Sequence, residues 1–262
     1  MDPDLYIATV KKSLTCSLYE HHDGDIWLPS SRREKLLQRF LPDGTRLTTD
    51  VDPADRAVGK DHVPMLALTM VGQKRLDNLQ LCVERVLDND VPGDFIETGV
   101  WRGGCLILMR AILKARGISN RVVFAADSFE GMPVGEHEHD VAFNDWDFDG
   151  IAVSLERVQA NLDRYGLSDG VTFVKGWFKD TLPRLRTTPL AVVRLDGDFY
   201  ESTMTSLEYL YPRLSVGGYL IVDDYHCFDA CRRAVDEYRD LCCISEPLRV
   251  IDWAGVYWRK ER

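Results

Sequence analysis

An α/β fold on a mainly parallel, seven-stranded sheet is what this chain predicts, and three patterns predict it. From Asp94 onward, short runs of Val, Ile, Leu and Ala alternate with amphipathic stretches of helical period, which sets parallel strands side by side with helices on both faces. The first run, Asp94-Phe-Ile-Glu-Thr98, breaks into a glycine-rich turn, Gly99-Val-Trp-Arg-Gly-Gly104, at the kind of strand end where open α/β sheets hold ligands. The last two runs, Leu248 to Asp252 and Gly255 to Arg259, flank only Trp253-Ala254, which suits an antiparallel hairpin.

The elements follow in order. Residues 1–60 read as an N-terminal helical or lid segment: Leu5, Ile7, Ala8, Leu14 and Leu18 mark a helix within 4–22, Glu34 to Phe40 adds a short one, and the Asp-, Pro-, Gly- and Thr-rich stretch from Leu41 to Asp61 reads as a loop. The main domain spans 61–262. A helix from Asp61 to Asn89 carries Leu76, Leu79, Cys82, Val83, Val86 and Leu87 on one stripe and stops at Val91-Pro-Gly. After the glycine turn come helix 105–115, strand 122–127, helix 153–165, strand 171–175, strand 191–195, helix 202–214, strand 219–223 and helix 229–241, with an acidic insert from Glu136 to Asp149.

Composition narrows the partners. The 262 residues are 45% hydrophobic, enough for a sizeable core, and a formal charge of −10 argues against nucleic acid, whose phosphates need clustered Lys and Arg. A small molecule is the expected partner. Seven cysteines, an odd number without a C-x-x-C pair, read as reduced thiols. Met-Asp-Pro-Asp-Leu has no signal-peptide character and no run approaches a membrane span, so the expectation is a cytoplasmic protein with no membrane partner.

The glycine turn selects the ligand. Its spacing from Glu97 is E-x-G-x-x-x-G-G rather than the G-x-G-x-x-G that cradles a pyrophosphate. Glu97 repels phosphate and suits a cation, and S-adenosylmethionine carries an ammonium, a sulfonium and an adenosine, so the turn points to a methyltransferase. Candidate cofactor residues sit at successive strand ends: Glu97, Thr98, Gly99, Trp101 and Gly103 at the first, Asp127, Ser128 and Phe129 at the second, and Gly176, Trp177 and Phe178 at the third. The Asp127 carboxylate suits the two ribose hydroxyls. Phe129, Trp177 and Phe178 read equally as core aromatics or as walls for adenine.

Acidic residues end the next two strands: Asp196 and Asp198 in Arg194-Leu-Asp-Gly-Asp-Phe-Tyr200, and Asp223 and Asp224 in Val222-Asp-Asp-Tyr225. Gathered at neighbouring strand ends, four carboxylates repel unless a cation holds them. A hard divalent ion, Mg²⁺, held by Asp196, Asp223 and Asp224 meets that need and acidifies a bound hydroxyl. Asp198 is then the candidate general base. Each Asp alone reads more readily as a solvated turn or helix cap, and it is the pairing at adjacent strand ends that favours a metal. His226, beside the acid pair, is a rival base, His137 and His139 are outside candidates for a metal, and Cys105 reads as a buried helix residue.

These motifs, with Ala126-Asp-Ser-Phe-Glu-Gly-Met-Pro and Gly176-Trp-Phe-Lys-Asp-Thr-Leu-Pro, resemble the macrocin O-methyltransferase family, from about Thr69-Met-Val-Gly to Gly255-Val-Tyr-Trp-Arg. The resemblance implies a Rossmann-like class I methyltransferase with a helical lid, using S-adenosylmethionine and Mg²⁺ to methylate a deoxysugar hydroxyl of a glycosylated antibiotic intermediate. The implied acceptor is the 4-hydroxyl of noviose on an aminocoumarin, as in novobiocin biosynthesis. It also implies Met70 near the cofactor, supports Asp196, Asp223 and Asp224 as ligands with Asp198 as base, and makes a homodimer an expected assembly. Three other readings remain: a metal-dependent methyltransferase of small catechols, one acting on a macrolide sugar, and a binding module that senses the cofactor without catalysis.

Overall fold

The structure, a computed structural model, describes residues 2–18, 25–26, 33, 36, 39–42, 45, 48–49, 52–60, 64–145, 150–187 and 189–262. Seven strands form the main sheet: β1 (Asp94–Thr98), β2 (Val123–Asp127), β3 (Val171–Lys175), β4 (Leu190–Leu195), β5 (Leu214–Val222), β6 (Arg249–Val250) and β7 (Val256–Arg259). Their order across the sheet is β3-β2-β1-β4-β5-β7-β6, with β1 to β5 parallel and β7 antiparallel to both neighbours. The predicted architecture is therefore present, antiparallel finish included. Because β1 has β2 on one side and β4 on the other, the chain reverses direction of winding there, and a crevice opens at the carboxyl ends of those strands.

Eight α-helices are described: α1 (Pro3–Leu14), α2 (Pro53–Val58), α3 (Gln73–Asp88), α4 (Gly104–Ala115), α5 (Leu155–Tyr165), α6 (Phe178–Thr181), α7 (Tyr200–Leu210) and α8 (Asp229–Leu241). Alternation along the strands sends successive side chains to opposite faces. Phe95 and Val192 join a core with α1, α3 and α4, while Ile96 and Val193 join a second core with α7 and α8. Ile7, Val10 and Leu14 of α1 are buried in the first core, each worth about 1.5–3 kcal/mol on apolar transfer. The start of the chain is thus packed into the main body.

Several boundaries differ from the sequence reading for local reasons. The helix expected from Asp61 begins only at Gln73, because residues 64–72 run as irregular backbone ending on Gly72, the N-cap of α3. A Cβ on Gly72 would lie 2.3 Å from the Val58 carbonyl carbon, a close approach that only glycine permits. The stretch expected as loop from Leu41 to Asp61 contains α2, capped by Asp52, whose carboxylate accepts from Ala54 N at 2.8 Å, and closed by Gly59 in the left-handed region. Six residues are too few for helical periodicity to register. The first helix stops at Leu14, and most of the helix expected at 34–40 lies outside the described residues. In the final hairpin the strands are shorter, and Asp252 organises the wider turn by accepting from Ala254 N and Gly255 N, both at 2.9 Å.

The acidic insert is a folded element over its described part. Asp140, 1% exposed, accepts from Tyr200 N at 2.7 Å and Glu201 N at 3.0 Å, capping α7 with both oxygens. His137 stacks on the Tyr200 ring at 4.2 Å, so this imidazole is a packing group. Among the described residues no helix is long and apolar enough to cross a membrane.

Candidate active site

A cavity of about 650 Å³ occupies the crevice at the carboxyl ends of the strands, within the range of small-molecule sites. Its floor depends on Gly99, at φ +84°, where a Cβ would lie 1.6 Å from the Asp196 carbonyl oxygen. Glycine lets the cofactor turn touch the first acidic strand end. Gly104 serves the crossing segment in the same way, since a Cβ there would meet Leu68 O at 2.5 Å. Arg102 secures that segment by donating to Pro64 O, Met65 O and Ala67 O at 2.8–3.1 Å, which leaves Thr69 and Met70 on the cavity wall.

Most of the residues expected to hold the cofactor line this cavity: Met70, Glu97, Gly99, Trp101, Asp127, Ser128, Trp177 and Phe178. Four do not. Thr98 is wholly buried, Gly103 is the N-cap of α4 at φ +86°, Phe129 packs edge-on to Phe173 in the core, and Gly176 lines a separate shallow depression. Strand ends supply both cavity groups and packing groups, and position along the chain alone does not separate them. Asp127 accepts from Val100 N at 2.6 Å and Phe129 N at 2.7 Å, so its carboxylate is fixed between two turns. A carboxylate has about four acceptor sites, and lone pairs remain for a diol.

Glu97 is 1% exposed; Oε1 accepts from Arg194 at 2.6 Å while the buried Oε2 has no partner. Burial, only partly offset by Arg194, pushes its carboxyl up to about 8. An ammonium arriving beside Oε2 would satisfy it.

The parallel β4–β5 pairing brings the two acidic strand ends together as expected. Ligand-capable oxygens of Asp196, Asp198 and Asp224 all lie within 4.8 Å of one another. Asp223 adjoins them with both oxygens engaged, Oδ1 accepting from Arg194 Nη2 at 2.6 Å and Oδ2 from Arg75 Nη1. Burial alone would raise its carboxyl, but the two guanidiniums hold it below the usual range. The others go the opposite way. Burial first, then the charge of Asp196, pushes Asp198 up to about 7, and burial with the charges of Asp198 and Asp196 lifts Asp224 well above normal. Asp198 also holds a left-handed φ of +55°, backbone strain of the kind found at functional sites.

A dication fits this donor set. The oxygens are hard, they are crowded, and Asp224 Oδ2 is buried without a partner. The rival base His226 is exposed and does not line the cavity, and Cys105 is a buried thiol pushed upward by burial. Sequence reasoning missed Arg75, Arg194 as an ion-pair hub, and Asp252. Their only signal was an arginine next to an apolar stripe and another inside the buried strand β4, where an unpaired charge is prohibitively costly.

Comparison with known proteins shows the family. Residues 3–260 match the family model described as Macrocin-O-methyltransferase (TylF). The chain is 52% identical, over 98% of its length and 92% of the relative's, to the 8-demethyl-8-(2,3-dimethoxy-alpha-L-rhamnosyl)-tetracenomycin-C 4'-O-methyltransferase of Streptomyces olivaceus. It is 44% identical, over 100% of its length and 95% of the relative's, to the demethyldecarbamoylnovobiocin O-methyltransferase of Streptomyces niveus. The solved structure of the O-methyltransferase NovP superposes with a TM-score of 0.86 at 44% identity, each chain covered completely.

Proposed function

The chain belongs to the macrocin O-methyltransferase family and is an O-methyltransferase, and from that premise we propose that it methylates the 4-hydroxyl of a deoxysugar on a glycosylated antibiotic intermediate, with S-adenosylmethionine as donor and Mg²⁺ at the acidic strand ends. The observation that carries the reading is the crowd of carboxylates one turn from the cofactor wall, with Asp224 Oδ2 buried and unpaired. A 4'-hydroxyl is the position in the name of the 52% identical relative. Noviose on an aminocoumarin is the acceptor that the family resemblance implied, and a 2,3-dimethoxyrhamnosyl tetracenomycin is the acceptor in that relative's name.

In this reading Asp196 and Asp224 hold the ion together with Asp223, which Arg194 and Arg75 orient while each leaves lone pairs open. The bound ion supplies one thing, a lowered pKa for a sugar hydroxyl. Asp198 takes the proton on its carboxylate, whose burial raises its basicity. Glu97 binds the cofactor's ammonium, Asp127 its ribose, and Trp177 and Phe178 exclude water from the path of the methyl group. Burial of both partners turns a bimolecular displacement into one that depends on alignment.

A second reading for Asp198 is favoured by its place in the 4.8 Å group: it completes the ion's shell in place of Asp223. Asp198→Asn separates the two. A base leaves Mn²⁺ and S-adenosylhomocysteine affinity unchanged and costs about 10²–10⁴-fold in turnover; a ligand loses Mn²⁺ binding as well. Turnover is to be measured on a noviosylated aminocoumarin, a 2,3-di-O-methylrhamnosyl aromatic and plain catechol, with and without EDTA. Loss in EDTA with recovery in Mg²⁺, on the glycosides alone, is expected. Equal turnover of catechol, or turnover indifferent to EDTA, would overturn the proposal.

A further inference from the structure

Arg75 lies in the first turn of α3, 8% exposed, and its guanidinium reaches three separate parts of the chain. Nη1 donates to Asp223 Oδ2 at the end of β5, and Nε donates to Asp252 Oδ2 in the β6–β7 turn at 3.1 Å. Nη2 donates to Gly59 O at 3.0 Å and Val58 O at 3.4 Å, the last carbonyls of α2. Trp253 closes the same corner, its indole N–H donating to Val58 O at 3.1 Å and its ring centroid 5.9 Å from the guanidinium carbon. The fit is tight, since a Cβ on Gly59 would lie 2.3 Å from Gly72 N. Gly59, Arg75, Asp223 and Trp253 all line the cavity.

One cation therefore serves two masters. Its upper donors hold the end of α2, and its lower donor fixes one oxygen of Asp223 beside the acidic group. If α2 lifts, Nη2 loses both acceptors, and Asp252 alone is left to hold the guanidinium against Asp223. If an ion draws Asp223 into a fixed pose, Arg75 is fixed with it, and the carbonyls of α2 find their donors in place. Such coupling is reciprocal by linkage.

We infer that Arg75 is a positioning residue through which the seating of α2 and the binding of a divalent ion at the acidic strand ends stabilise each other. This rests on the cation reading given under Proposed function. It assigns no contact with substrate or cofactor to Arg75.

The test uses the full chain with S-adenosylhomocysteine bound and Mn²⁺ as probe. Mn²⁺ affinity is read by electron paramagnetic resonance, and α2 by the rate of tryptic cleavage after Arg56 and Lys60. In the unaltered chain Mn²⁺ is expected to bind and to slow cleavage at both sites. Arg75→Met is expected to weaken Mn²⁺ by about 10–100-fold, the usual cost of removing a group that orients a ligand, and to abolish Mn²⁺ protection of α2, and Arg75→Lys to do both to a smaller extent. Affinity for S-adenosylhomocysteine should stay within about twofold, which a general loss of folding would not allow, and Lys should retain part of the coupling. Absence of Mn²⁺ binding in the unaltered chain would overturn the cation reading and this inference together. Binding without protection of α2 in the unaltered chain, or unchanged affinity and protection in the variants, would overturn the inference alone.

Discussion

Gly99→Ala adds a single methyl group at the point where the cofactor turn meets the acidic strand. The new Cβ would lie 1.6 Å from Asp196 O, about 1.8 Å short of ordinary contact, which begins near 3.4 Å. No side chain can move aside, because the obstacle is backbone belonging to β4's own continuation. The residue must also keep φ +84°, which costs a non-glycine residue about 1–2 kcal/mol. Gly117→Ala calibrates that strain: its φ is +67° and a Cβ there meets nothing within 4 Å. It should lower Tm by about 2–4 °C for each kcal/mol and leave turnover intact. Gly99→Ala should pay the same strain plus the wedging of β1 from β4, for a total above about 4 kcal/mol, and separate Glu97 from the carboxylates. Circular dichroism melts and titration with S-adenosylhomocysteine on both variants give the comparison. If Gly99→Ala melts with Gly117→Ala and binds the cofactor product normally, the close approach does not position this site.

Three further outcomes are expected. Glu97 is raised to about 8 when folded, against an ordinary value of 4.5, so the folded apo form binds the extra proton and its stability falls as pH rises from about 4.5 to about 8. An ammonium at Oε2 expels that proton, so binding S-adenosylhomocysteine at pH 7 should release up to one; calorimetry in buffers of different ionisation enthalpy counts it, and a count of zero would refute the contact. Asp127→Ala should weaken cofactor binding through loss of the charged acceptor for the ribose, and an unchanged dissociation constant removes the assignment. Asp140→Ala should cost about 1–2 kcal/mol in urea unfolding, because two N–H groups at the start of α7 lose their cap, and equal midpoints would show that water replaces it.

The sequence by itself determined whatever depends on neighbours along the chain. Strand and helix alternation, the break after Thr98 and the antiparallel finish are local patterns of period 2, period 3.6 and turn chemistry. The acids at the ends of β4 and β5 were legible for the same reason, as both follow apolar runs whose ends must share one rim of a parallel sheet. Tertiary structure decided what depends on partners far apart in sequence. Arg75 meets Asp223 and Asp252 across 148 and 177 positions, and Asp140 caps α7 across 60. It also sorted the strand-end residues, sending Trp177 and Phe178 to the cavity and Phe129 to the core. Ion-pair choice and burial are properties of the closed fold: a charge takes whichever partner the packed chain brings within reach, and no local period encodes that distance.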